Sequence, residues 1–153
     1  MTRGVTLIEM LIVIALIGLL AGISFPGVSS GIDSLRLSAA SDAVVSFLNA
    51  GLNRAERRQQ LIEIAVSKSE RSLTMRSSDP GFLRKIELPE GVTIMAILPE
   101  SPDERETGRR FVLYPGGTLP RIGLELTNRR GARRIVRVDP ITGTPRIERA
   151  EGP

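Results

Sequence analysis

The most constraining feature of this chain is an apolar run near its start. From Val5 to Phe25, 16 of 21 residues are apolar, and Glu9 is the only ionisable side chain among them. As a helix, such a run is about 30 Å long, the thickness of the hydrocarbon core of a bilayer. The residues ahead of it, Met1, Thr2, Arg3 and Gly4, bring a positive flank from Arg3 and the terminal amine. That flank keeps the N-terminus in the cytoplasm and sends the rest across. A secretory signal peptide fits poorly, because its apolar region is shorter and its basic region longer. A plain signal anchor explains length and orientation but not Glu9. A carboxylate at the centre of a membrane helix costs about 2.5–3.5 kcal/mol, and less near its end, so Glu9 calls for a partner.

Beyond the run the chain changes character. From Pro26 to Pro153, 46 of 128 residues are apolar, which suits a small water-facing domain. The whole chain, 153 residues long, has room for one domain and a short extra element. It contains no Cys and no His, which excludes zinc fingers, Cys/His nucleophile pairs and Ser-His-Asp triads. Aromatic residues make up 3%, too few for a protein that stacks bases on rings.

The segment Gly4-Val5-Thr6-Leu7-Ile8-Glu9-Met10 and the apolar run behind it resemble the signal of type IV pilins and type II secretion pseudopilins. The resemblance implies cleavage between Gly4 and Val5 by a prepilin peptidase on the cytoplasmic side, then N-methylation of Val5. The family usually has Phe after the cut, where this chain has Val5. Glu9 falls where the family places a glutamate thought to pair with the N-terminal amine of a neighbouring subunit. Pro26 falls where many pilins have a helix-kinking proline. The physical logic agrees: a freed amine and a carboxylate are each costly in a low-dielectric setting and neutralise one another when paired.

After Pro26 the pattern predicts an amphipathic continuation of the helix, ending near Arg57–Gln60, with Ser29-Ser30-Gly31 as a point of loosening or breakage. Leu37, Val44, Phe47, Leu48, Leu52 and Ala55 form its apolar side; Ser34, Ser41, Asp42, Asn49 and Arg57 supply polar faces. The remainder reads as strands. Leu61–Ser67 alternates and pairs with Ser72–Arg76 across a turn. Lys85–Leu88 is a short strand. Val92–Leu98, almost wholly apolar, reads as a central one. Arg110–Tyr114 ends in Pro115-Gly116-Gly117. Arg121–Thr127 points Ile122, Leu124 and Leu126 inward, and Asn128–Gly131 turns the chain into Ala132–Asp139. Thr144–Arg149 completes the set. The expected fold is α+β: a long N-terminal helix, transmembrane then amphipathic, packed on a C-terminal antiparallel β-sheet domain of about seven strands, pilin-like. The expected divisions are 1–4 leader, 5–25 transmembrane and assembly helix, 26–60 amphipathic helix, and 61–153 periplasmic β-rich domain.

A looser resemblance covers the second half. Pro89-Glu90-Gly91-Val92-Thr93-Ile94, Phe111 before a proline-glycine turn, Ile122–Leu126, Ile135–Val138 and Thr142-Gly143 are similar to the GspH/FimT group of minor pseudopilins. It implies a structural subunit of a type II secretion pseudopilus, anchored in the inner membrane with its globular part in the periplasm. Its implied partners are a prepilin peptidase, other pseudopilins and the membrane. The alternative is a FimT-like minor pilin that binds DNA through C-terminal arginines, for which Arg129, Arg130, Arg133 and Arg134 around one turn are the candidates. A solvated basic face outweighs that alternative. The chain uses 19 Arg to 2 Lys nearly everywhere, its net charge is only +4, and Thr144 and Pro145 separate Gly143 from Arg146 where the group often joins glycine to arginine. Arg146 and Glu148 suggest local ion pairing. A third reading is an anchored periplasmic domain unrelated to fibres. The acidic loop after Pro99 lacks the spacing of a calcium loop, and Pro115-Gly116-Gly117 lacks a P-loop lysine. The sequence therefore points to no catalytic residues, no metal and no cofactor, and to a chain that is not an enzyme.

Overall fold

A computed structural model of the chain describes residues 5–79, 81–100 and 107–149, the side chains at 23–30 excepted. Helix α1 runs unbroken over Leu7–Arg58, 52 residues, or about 78 Å at 1.5 Å per residue. Thr6 caps its start, its hydroxyl accepting from the Glu9 N–H at 3.3 Å. Gln59 closes its end in a left-handed conformation, with its N–H on the Ala55 carbonyl. The helix passes through Pro26 and through Ser29-Ser30-Gly31, so the loosening expected at the latter does not occur. A glycine costs a helix only about 1 kcal/mol against alanine, too little to break a cooperative ladder flanked by long helical stretches.

Among the described residues eight strands follow. Strands β1 (Ile62–Ser67), β2 (Ser72–Ser77), β3 (Leu83–Glu87) and β5 (Gly108–Leu113) form one antiparallel sheet in the order β3-β2-β1-β5. Strands β4 (Val92–Leu98), β6 (Gly123–Asn128), β7 (Arg133–Val138) and β8 (Pro145–Arg149) form a second, in the order β4-β6-β7-β8. The fold is thus an N-terminal helix packed on antiparallel sheets, α+β, with two four-stranded sheets in place of a single one. One hydrophobic core joins all three layers. Leu37, Ala40, Val44, Phe47, Leu48 and Ala55 of the helix pack with Ile62, Ile64, Leu73 and Met75 of the first sheet. Leu124, Leu126, Val136 and Val138 of the second complete it.

Two expectations are corrected. Strand β4 is at an edge of its sheet, not at the centre. Its register with β6 shifts between Ile94 and Ala96. That bulge switches the side-chain parity, so Val92, Ile94 and Ile97 all turn inward while Met95 is exposed. A near-continuous apolar run came from a change of parity rather than burial on both faces. Ser41, expected on a polar face, is fully buried, its hydroxyl donating to the Leu37 carbonyl at 2.8 Å. Nearby, an added Cβ on Gly51 would stand 2.9 Å from the Met75 methyl, so glycine lets α1 lie close on the first sheet.

Candidate functional site

The core begins at Leu37, and among the described side chains the stretch from Leu7 to Gly22 is exposed throughout. Apolar side chains there are exposed on all sides, from Leu7 at 79% to Leu20 at 63%. The apolar exposure continues at Ile32 and Leu35, past the run that the sequence marks. An apolar surface of this extent is stable only inside a lipid phase or against other protein. Among the described residues no helix is long and apolar enough to cross a membrane. The apolar run itself continues to Phe25, and its last side chains fall outside the described residues.

Glu9 occupies the third position of α1, in the pattern Thr6-x-x-Glu9 of a helix-capping box. A negative charge there also opposes the positive end of the helix dipole. Among the described residues Glu9 has no ion-pair partner. Gly4 lies outside the described residues; Val5 is described and exposed. Pro26 lies within α1, and its side chain is outside the description.

The arginine turn has a different environment. Asn128, 8% exposed, organises the β6–β7 hairpin: its Oδ1 accepts from the N–H groups of Arg130 and Ala132, both at 3.0 Å. Its Nδ2 donates to the Asp33 carbonyl on the helix at 3.4 Å. Arg130 lies 3.8 Å from the Asp33 carboxylate, and Arg36 lies 3.9 Å from it. Arg134 donates to Ser38 at 3.0 Å, and Arg133 pairs with Glu125 at 3.5 Å. Arg129 alone of the four has neither an ion pair nor a side-chain hydrogen bond among the described residues; its side chain packs over Gly91. Most of the wider basic run is engaged too. Arg110 faces Glu63 at 3.9 Å, Arg137 faces Glu148 at 3.9 Å, and Arg109 donates to the Pro99 carbonyl. Arg146 and Glu148 do pair, though not with each other: Arg146 reaches Asp139 at 3.8 Å.

Asp139 is the anchor of the β7–β8 turn. Its Oδ1 accepts from the Ile141 N–H at 2.8 Å and the Thr142 N–H at 3.1 Å, and Gly143 takes a left-handed φ of 68°. The two backbone hydrogen bonds, with Arg146 adding, hold the Asp139 carboxyl below its usual value. The acidic loop after Pro99 lies outside the described residues from 101 to 106. Sequence reasoning found the apolar helix, the arginine turn and its start at Asn128; it missed Asp33 and Ser38, and the bond from Asn128 to the helix, because those partners are distant in the chain.

Comparison with known proteins bears on the N-terminus. Residues 1–25 match the model of the prokaryotic N-terminal methylation motif. No curated protein and no solved structure matches the chain. The motif suggests a membrane-anchored N-terminus and is consistent with processing by a prepilin peptidase and assembly with pilin-like subunits. It suggests a structural protein. The chain therefore opens with a type IV pilin-like prepilin signal, carried on a long helix whose second half packs on two antiparallel sheets.

Proposed function

We propose that this protein is a minor pseudopilin of the GspH group, a structural subunit of a type II secretion pseudopilus that serves protein secretion across the outer membrane. The observation that carries this reading is the prepilin motif over residues 1–25 joined to a helix whose apolar side chains from Leu7 to Leu20 are exposed and which enters the core only at Leu37. Such a helix suits lipid before assembly and neighbouring helices after it. In this reading the peptidase cuts between Gly4 and Val5, Val5 is N-methylated, and the N-terminus begins in the cytoplasm with the sheets in the periplasm. Glu9 pairs with the N-terminal amine of a neighbouring subunit, a register device for stacking helices. Pro26 sets the bend at which the helix leaves the apolar layer. The assembly energy comes from elsewhere, since the sequence has no nucleotide-binding motif.

The FimT-like alternative, DNA capture through the arginine turn, is the weaker reading. Arg130, Arg133 and Arg134 are committed to Asp33, Glu125 and Ser38, and phosphate binding would have to displace those contacts. The test of the main reading is the intact mass of the protein co-expressed with and without a prepilin peptidase. Loss of Met1–Gly4 with one methyl group added on Val5 is the expected result. An unprocessed chain, beside a second substrate that the same peptidase cuts, would reduce Val5–Phe25 to an ordinary anchor.

A further inference from the structure

At the far end of α1 from the prepilin motif, one arginine stacks on a ring at the start of an edge strand. Arg54 lies with its guanidinium 3.6 Å from the centre of the Phe82 ring, and its Nε is buried without a hydrogen-bond acceptor. Arg58 is one turn further on the same helix face, so both point to the side of α1 that carries buried Ala55. Across the gap is β3, an edge strand. Its Arg84 is opposite Met75, and its Ile86 opposite Leu73. Met75 and Leu73 are fully buried, so Arg84 shares the helix-facing side of the sheet with them and with Phe82.

The two faces of β3 are treated differently. On the outer face Lys85 is neutralised by Glu87 at 3.0 Å and Glu70 at 3.5 Å, which also raise its pKa. On the inner face, among the described residues, Arg54, Arg58 and Arg84 have no carboxylate in ion-pair range. The nearby acids are used otherwise: Glu56 accepts from the Gly116 N–H at 3.1 Å, and Asp79 accepts from Gln60 at 2.8 Å. Two open clefts of about 350 Å³ lie at this end of the fold, one lined by Arg54, Arg57 and Arg58, the other by Asp79, Phe82 and Leu83. The free edge of β3 offers unpaired backbone groups, and Leu83 beside it is 63% exposed.

We propose that this corner is a docking site for an extended acidic segment of a partner protein, which adds as a strand to β3 and places carboxylates against Arg84, Arg58 and Arg54. Strand addition satisfies the open edge, and alternate side chains of the added strand fall on the cationic face. Stacking on Phe82 fixes the Arg54 plane in advance, so little side-chain freedom is lost when a carboxylate takes its fork. An extended protein segment fits better than nucleic acid, since the one ring present is already covered by Arg54 and offers no face for a base.

The test uses the full chain in detergent micelles and a fluorescein-labelled peptide of about eight residues alternating Glu and Val, a strand length typical of sheets. Fluorescence anisotropy should show binding that weakens with salt. Arg54 packs on Phe82, so the variant of choice is R58E/R84E, two exposed positions without internal partners, with its fold checked by thermal melting. It should lose about tenfold or more in affinity, as should wild type toward a peptide with N-methyl groups on alternate backbone amides. Undiminished binding to R58E/R84E would overturn the site, and undiminished binding of the N-methylated peptide would overturn strand addition. Stronger binding of a DNA duplex through the same arginines would replace the acidic protein with a polyanion.

Discussion

Arg134 donates a hydrogen bond to Ser38 at 3.0 Å although the two are 96 positions apart. With Asn128 on the Asp33 carbonyl and Arg130 on the Asp33 carboxylate, that contact fastens the β6–β7 turn to the helix just where it enters the core. Basic side chains that read in the sequence as a solvated face are thereby internal fasteners. Asn128→Ala should remove an acceptor from two backbone N–H groups in a half-buried turn and destabilise the protein by about 1–3 kcal/mol. Denaturant unfolding of the detergent-solubilised chain measures this; a loss below a few tenths would deny the turn its fastening role.

The four arginines should not behave alike. Arg129→Glu removes the one guanidinium of the four with no hydrogen bond or ion pair among the described residues and should leave both stability and secretion unchanged. Arg134→Glu should lower stability by about 1 kcal/mol or more, through the lost bond and the charge left beside the helix. A salt-sensitive DNA affinity that disappears in Arg129→Glu would favour the DNA-binding alternative instead. Gel-shift and melting measurements on the two variants separate these outcomes.

Glu9→Ala should leave membrane insertion intact, since it removes a charge from an apolar helix, yet reduce incorporation into fibres. Thr6→Ala gives the local control: it removes only the cap on the Glu9 N–H, costs about 1 kcal/mol at the helix start, and should leave incorporation near normal. Membrane fractionation and cross-linking of sheared fibres report the two steps. Normal incorporation of Glu9→Ala would remove the pairing role.

Gly108 opens β5 against β1, where an added Cβ would stand 2.7 Å from the Val66 carbonyl oxygen. The close atom is backbone of the paired strand, which cannot swing aside as a side chain can. Gly108→Ala should therefore destabilise by about 1–3 kcal/mol, seen as a lowered melting temperature. Gly51→Ala, facing the flexible end of Met75, should cost less.

Asp139 gives a pH signature. Its folded pKa is below its ordinary value of 3.8, so its contribution is complete above that value and falls away as pH drops through the lowered folded one. Amide exchange at Ile141 and Thr142 should accelerate on acidification below the ordinary carboxylate range. Asp139→Ala should abolish that acid-side dependence and leave both amides fast-exchanging at neutral pH.

The sequence by itself determined the elements. A long helix ending near Arg58, its inward row of Leu37, Val44, Phe47 and Leu48, and the places of the strands follow from periodicity and turn residues, although the pattern predicts about seven strands where eight are described, and a loosening at Ser29-Ser30-Gly31 where the helix is unbroken. The prepilin signal was legible because it is local and its meaning depends on no other part of the chain. Only the tertiary structure decided which strands are neighbours. Alternation tells a side chain which face it is on, not which strand lies beside it, so the division into two sheets and the edge position of β4 were hidden. The fate of the arginines was hidden for the same reason. A guanidinium's role is set by the carboxylate or carbonyl that folding brings to it. Arg134 met Ser38 from across the chain, while Arg54, one turn before the helix ends, met a phenylalanine ring and no acid.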